Sequence, residues 1–135
     1  MSSSSSVSSN EVSSSSKEKK MVFSHEKLKV YQKSLEFIEF TEKIFPDNNF
    51  ISAHHQIDKA STSIPLNIAE GTGKHSNKDK CHYYDIARGS ALECAACLDV
   101  LLRRKKIIKE LNEEGKKIIF KTVFYINRIN KKLLR

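Results

Sequence analysis

Apolar residues recur along most of this chain at spacings of three, four and seven, the period of helices with one buried face. In the first segment Leu28, Tyr31, Leu35, Ile38 and Phe45 share a stripe, and Glu and Lys cover the other side. Pro46-Asp47-Asn48-Asn49 stops it, since proline cannot continue the hydrogen-bond ladder and Asp and Asn favour turns. A second segment, about 50–70, places Phe50, His54, Ile57, Ser61, Ile64 and Ile68 together. Pro65 inside it predicts a kink near 61–63, with Ser and Thr hydroxyls taking up the freed carbonyl. Gly71 is expected to end this helix as a left-handed cap.

Ser76-Asn77-Lys78-Asp79 has the form of an N-cap with an acidic residue three positions on, opening a third helix. Its seam is Tyr84, Ala87, Ala91, Cys94, Leu98 and Leu101, mostly small, so a neighbouring helix can approach closely. A fourth helix, about 109–134, turns Leu111, Ile118, Thr122, Ile126, Ile129 and Leu133 inward. No segment sustains strand alternation, and the connections are short. The prediction is all-α: an antiparallel up-down-up-down four-helix bundle.

Residues 1–24 stand outside that pattern. Eleven of residues 2–16 are serine, and only Val7 and Val12 among them are apolar. Such a stretch cannot bury enough surface to offset ordering entropy, which predicts a disordered Ser-rich tail ahead of a domain over 25–135. It lacks the apolar core of a secretory signal. Met21, just ahead of the patterned region, is a candidate start of translation. No apolar run approaches the ~20 residues that cross a bilayer, so no membrane partner is expected. Three cysteines without a signal peptide predict reduced thiols and a cytoplasmic location. Charge divides unevenly: residues 1–24 carry +1, residues 25–102 carry −2, and residues 103–135 carry +9. That asymmetry points to a polyanionic partner.

Three strings carry a family resemblance. They are Leu28-Lys29-Val30-Tyr31-Gln32-Lys33; Gln56-Ile57-Asp58-Lys59-Ala60 with Ser63-Ile64-Pro65-Leu66-Asn67-Ile68-Ala69-Glu70-Gly71; and Ile86-Ala87-Arg88-Gly89-Ser90 with Glu93. Over roughly Glu26 to Leu133 the chain resembles the bacterial four-helix-bundle proteins encoded in intervening sequences of 23S rRNA genes, with Pro65, Asn67, Glu70, Gly71, Gly89, Ser90 and Glu93 as its signature. Lys80 stands where relatives usually have an aromatic residue, and Cys97 where a polar one is usual. The resemblance implies a homopentamer. One branch of the family serves the reverse transcriptase of diversity-generating retroelements and binds nucleic acid. It therefore also implies RNA or single-stranded DNA, and a reverse transcriptase or ribonucleoprotein, as partners.

The candidate contacts to phosphate are Arg103, Arg104, Lys105 and Lys106, followed by Lys117, Lys121, Arg128, Lys132 and Arg135 along one helical face. The competing reading is a solvated face that only maintains solubility. Interleaved Phe120, Phe124 and Tyr125 suit base stacking, although aromatics at these spacings more often belong to a core or a subunit contact. Asn67 with Glu70, and Ser90 with Glu93, are polar pairs one turn apart. They are expected to form a buried hydrogen-bond network that fixes helix register, with Arg88 or backbone amides as partners, rather than an acid–base pair.

Gly71-Thr72-Gly73-Lys74-His75-Ser76 superficially resembles a phosphate loop, but Ile68 stands where its first glycine should be and His75 where Ser or Thr should follow the lysine. Cys94 and Cys97, with Cys81 and His82, raise zinc, yet a mid-helix pair on an apolar seam is expected to be buried hydrophobe. His54 and His55 are adjacent and point apart, with His54 at the core edge. No metal, cofactor or catalytic set is expected. The sequence therefore predicts a non-enzymatic oligomeric bundle that binds nucleic acid through its basic C-terminal helix. The alternative is a protein-binding scaffold or accessory subunit without direct nucleic-acid contact.

Overall fold

A computed structural model describes residues 21–45 and 52–135. Residues 1–20 of the predicted tail, the predicted helix stop at 46–49 and Phe50 of the predicted second stripe lie outside the described residues. A 3₁₀ turn at Ser24–Lys27 leads into α1 (Lys29–Ile44), followed by α2 (Ser52–Thr72), α3 (Asn77–Arg103) and α4 (Lys109–Leu133). Side-chain pairs fix the directions. Thr72 meets Tyr84 (2.7 Å) while Ser63 meets Ser90 (2.8 Å), so α2 and α3 run oppositely. Asn77 reaches Leu133, Arg88 reaches Asn127, and Asn112 reaches Asp99, which sets α3 against α4. Lys43 pairs with Glu114, while Leu28 and Lys29 line a groove with Arg128 and Lys132, which sets α4 against α1.

The third helix is where sequence and packing agree best. The Ser76 hydroxyl accepts from Asp79 N (3.1 Å) at the helix start. Tyr84, Ala87, Ala91, Cys94, Leu98 and Leu101 are all buried, and Cys81 extends the seam by one turn. Lys80, the departure from the family pattern, donates to the Thr72 carbonyl (2.9 Å) and so caps the end of α2.

In α1 the inward stripe differs from the predicted one. Val30, Ser34, Phe37, Phe40 and Thr41 are buried, whereas Leu28, Tyr31, Leu35, Ile38 and Phe45 are only half-buried. Polarity misleads here because Ser34 and Thr41 hide theirs locally. Their hydroxyls donate to the carbonyls of Tyr31 (2.6 Å) and Ile38 (2.7 Å), so no donor is orphaned by burial. Along α2, Ile57, Ser61, Ile64 and Ile68 are buried as expected, and His54 stacks on Phe45 at 3.9 Å. The hydroxyls of Ser61 and Thr62 both serve the Asp58 carbonyl, not the one Pro65 frees.

Gly71 is not a left-handed cap. It lies inside α2, and no described glycine has positive φ. A Cβ on it would stand 2.9 Å from Tyr84 Cε1 and 3.0 Å from Tyr83 Cβ, so glycine is there to admit α3. The left-handed residue is Lys105, with φ 60°.

In α4, Ile118, Thr122 and Ile126 are buried, while Leu111, Ile129 and Leu133 sit at the edge. Buried Gly115 was not anticipated: a Cβ there would meet Leu98 Cδ1 and Phe40 Cε2, both at 2.6 Å. Leu98 and Phe40 are themselves core residues with little room to move. Gly115→Ala is therefore expected to destabilise the fold by about 1–3 kcal/mol despite alanine's better helix propensity. Gly73→Ala, whose Cβ would find nothing closer than 3.6 Å, should cost nothing. Urea denaturation of both variants checks the contrast.

Candidate nucleic-acid interface

The nine predicted cations fall into two groups. Arg103, Arg104, Lys105 and Lys106 form the end of α3, where Lys105 N donates to Leu102 O (2.9 Å) and Lys106 N to Leu101 O (2.8 Å). This pair of bonds around a left-handed residue is a Schellman closure, and cations suit the negative end of the helix dipole. All four side chains are exposed.

The second group lies along α4. Lys117, Phe120, Lys121, Phe124, Arg128 and Lys131 project within an arc of about 100° on a helix of 3.6 residues per turn, and all are exposed. Phe120 is 74% exposed and Phe124 is 49% exposed, so of the expected core or subunit contact neither takes the core role, whereas Tyr125 is half-buried against the core. The Arg128 guanidinium lies 5.7 Å from the Phe124 ring centroid. Between the two groups stand Glu110, Glu113 and Glu114, so the basic surface is interrupted at the start of α4.

The flanks of the α4 face differ in charge balance. Towards α3, Lys116 pairs with Asp99 (2.9 Å), Arg88 donates to Asn127 Oδ1 (3.0 Å) and Asn130 donates to Asp85 (3.0 Å). Hydrogen bonds from Lys116 and then Asn112 hold the Asp99 carboxyl below the usual carboxylate range. Towards α1 an open groove of 290 Å³ runs past Lys29, Tyr125, Arg128 and Lys132. Lys33 lies beside Lys117 and Lys121 in a separate depression that Glu36 and Glu114 also line, and it is ion-paired with Glu36 (2.8 Å). Lys29 and Lys131 thus join the basic surface although sequence reasoning omitted them. Lys132 turns to the groove, and Arg135 follows the end of α4.

The signature polar residues divide. Asn67 Nδ2 donates to Ser63 O (2.9 Å) and Ser63 Oγ (3.0 Å), and Ser90 Oγ donates to Ser63 Oγ (2.8 Å) across the α2–α3 seam. The carboxylates take no part in it. Glu70 is exposed and paired with Lys74 (3.0 Å), Glu93 is exposed on the outer side of α3, and Arg88 turns to α4. The predicted network is therefore an amide–hydroxyl cluster without its acids, because Glu70 and Glu93 lie on exposed helix positions away from it. Pro65 is buried within α2. Gly89 faces outward, and a Cβ there would meet nothing within 4 Å.

Burial pushes the Cys94 thiol far above its ordinary value and raises Cys81 and Cys97 as well, which suppresses the thiolate needed for ligation or attack. Among the described residues no three His, Cys, Asp or Glu side chains converge to hold a metal ion. No helix among them is long and apolar enough to cross a membrane.

Comparison with known proteins follows this geometry. The family model described as 23S rRNA-intervening sequence protein matches residues 26–128. A solved structure of a protein of unknown function from the S23 ribosomal protein family of Bacteroides thetaiotaomicron superposes with a TM-score of 0.68 at 25% identity, covering 76% of this chain and 98% of that one. No curated protein matches.

Lys105 separates the two roles of the turn cluster. A left-handed conformation costs a non-glycine residue about 1–2 kcal/mol, so Lys105→Gly should stabilise the fold by about 1 kcal/mol, read as a higher urea midpoint. An unchanged midpoint would mean that the lysine side chain recovers that cost elsewhere.

Proposed function

The chain belongs to the 23S rRNA-intervening sequence protein family, and from that premise we propose that it is a non-enzymatic, homo-oligomeric bundle that binds nucleic acid through the basic face of α4. One observation carries this reading. Among the described residues, none of Arg103, Arg104, Lys105, Lys106, Lys117, Lys121, Arg128, Lys132 and Arg135 is in an ion pair, although four other lysines are. Cations left in water beside one another repel, and a polyanion relieves that repulsion while releasing its own counterions. The protein acts as a holder of RNA or single-stranded DNA, presenting it to a reverse transcriptase or within a ribonucleoprotein. A cytoplasmic location fits its three free cysteines. Dispersal of Glu70 and Glu93 to the surface supports the absence of acid–base chemistry.

A second copy fits the outer side of α3. His82, Ile86, Gly89, Glu93, Ala96 and Val100 are all exposed and recur at alternating spacings of four and three, the period of a helix–helix seam. Glycine within a helix costs about 1 kcal/mol relative to alanine, and nothing among the described residues approaches Gly89 closely enough to require it. A backbone arriving from a neighbouring protomer would. Leu66 on α2, 64% exposed, adds apolar surface. The assembly is the pentamer implied by the family resemblance.

Two measurements test these proposals. Affinity for a mixed-sequence single strand should fall steeply between about 50 and 200 mM salt. Lys117→Glu with Lys121→Glu and Arg128→Glu should abolish it at physiological salt, and neutral Gln versions should reduce the log–log salt slope by about 2. Binding that survives charge reversal removes the α4 face as the site. Light scattering should find a pentamer that Gly89→Leu breaks into smaller, folded species. A wild-type monomer at micromolar concentration removes the assembly.

A further inference from the structure

We propose that Phe120 and Phe124 form a stacking platform for unpaired bases, so that the α4 face selects single-stranded nucleic acid over duplex. This rests on the reading of that face as a phosphate-binding surface. The two rings stand four residues apart, about 6 Å along the axis at 1.5 Å per residue, and both project outward. Phe120 is 74% exposed and Phe124 is 49% exposed. Among the described residues Phe124 meets only the Tyr125 ring edge (6.0 Å) and the Arg128 guanidinium (5.7 Å) as aromatic or cationic neighbours, and Phe120 meets none.

A phenyl ring offers a flat apolar face and no hydrogen-bonding group, so what it can recognise is another flat face. In a duplex the base faces are covered by their neighbours in the stack. In a single strand they can be splayed out onto a protein ring. The ~6 Å between ring positions exceeds the 3.4 Å stacking step of a strand, so neighbouring bases must part to reach both.

The surroundings decide the occupant. Lys117, Lys121, Arg128 and Lys131 share the same arc as the rings, and none is in an ion pair among the described residues. A symmetry-related copy of this face would set cations against cations. The outer seam of α3 carries Glu93 as its one carboxylate, too few to neutralise them. A single strand matches both features at once, with bases for the rings and phosphates for the charges.

The test uses the full chain at about 50 mM salt, with an oligo-dT single strand and a blunt duplex of equal length. Base–aromatic stacking contributes about 1–3 kcal/mol per base, so Phe120→Ala and Phe124→Ala should each weaken single-strand binding about tenfold while leaving duplex affinity within about twofold. Phe120→Trp should restore it. Because the chain has no tryptophan, that lone indole's fluorescence should quench on adding oligo-dT. Equal loss on both ligands, or loss on neither, overturns the platform and leaves the phosphate-binding surface standing. Alanine variants that shrink the assembly in light scattering assign the rings to a subunit contact and overturn it too. A wild type that binds neither ligand in dilute salt removes the underlying reading instead.

Discussion

Close approach of α3 to its neighbours is the constraint on which the bundle depends. Ala87, Ala91 and Cys94 are fully buried along its inner seam, and small side chains there let backbones come near. Gly71 on α2 makes room for Tyr84, whose hydroxyl then meets Thr72, and Gly115 on α4 makes room for Phe40 and Leu98. Where the seam is tightest, Ser63, Asn67 and Ser90 satisfy one another, so no polar atom of that cluster loses its partner. Bulk at any of these positions would move a whole helix, not one rotamer.

That inward economy determines what faces out. Once Ile118, Thr122 and Ile126 enter the core, the helical period leaves Lys117, Phe120, Lys121, Phe124 and Arg128 on the opposite side. Acidic groups of α3 then serve one flank: Asp99 pairs with Lys116 and Asp85 accepts from Asn130. Among the described residues Lys117, Lys121, Arg128 and Lys131 of the outward arc are in no ion pair. Positive charge on this protein is therefore concentrated by packing as much as by composition, and the field in front of α4 follows from both.

Two exposed apolar faces coexist and differ in their electrostatic company. The outer seam of α3 combines exposed Ile86, Ala96 and Val100 with a glycine that no described residue approaches within 4 Å. The rings of α4 are set among unpaired cations, the combination on which the proposed nucleic-acid contact rests. The two faces belong to different helices, so the proposed assembly and the proposed nucleic-acid contact do not compete for one surface.

The four helices, the Ser76 cap and the α3 seam were legible in the sequence, since one strongly apolar stripe at the helical period admits a single inward face. The nine cations were legible as a cluster of four and a helical stripe, but not their lack of ion-pair partners among the described residues. In α1 two stripes compete, and periodicity alone cannot choose. Partner helices chose the one bearing Phe37 and Phe40, accepting Ser34 and Thr41 because their hydroxyls bond within their own turn. Tertiary structure also decided that Gly71 serves close packing, that Lys105 takes the left-handed turn, and that Phe120 and Phe124 stand in water. The sequence by itself determined which segments coil and where charge accumulates, because both are local. Which side of each coil meets another depends on neighbours distant in the chain, and only the assembled bundle supplies them.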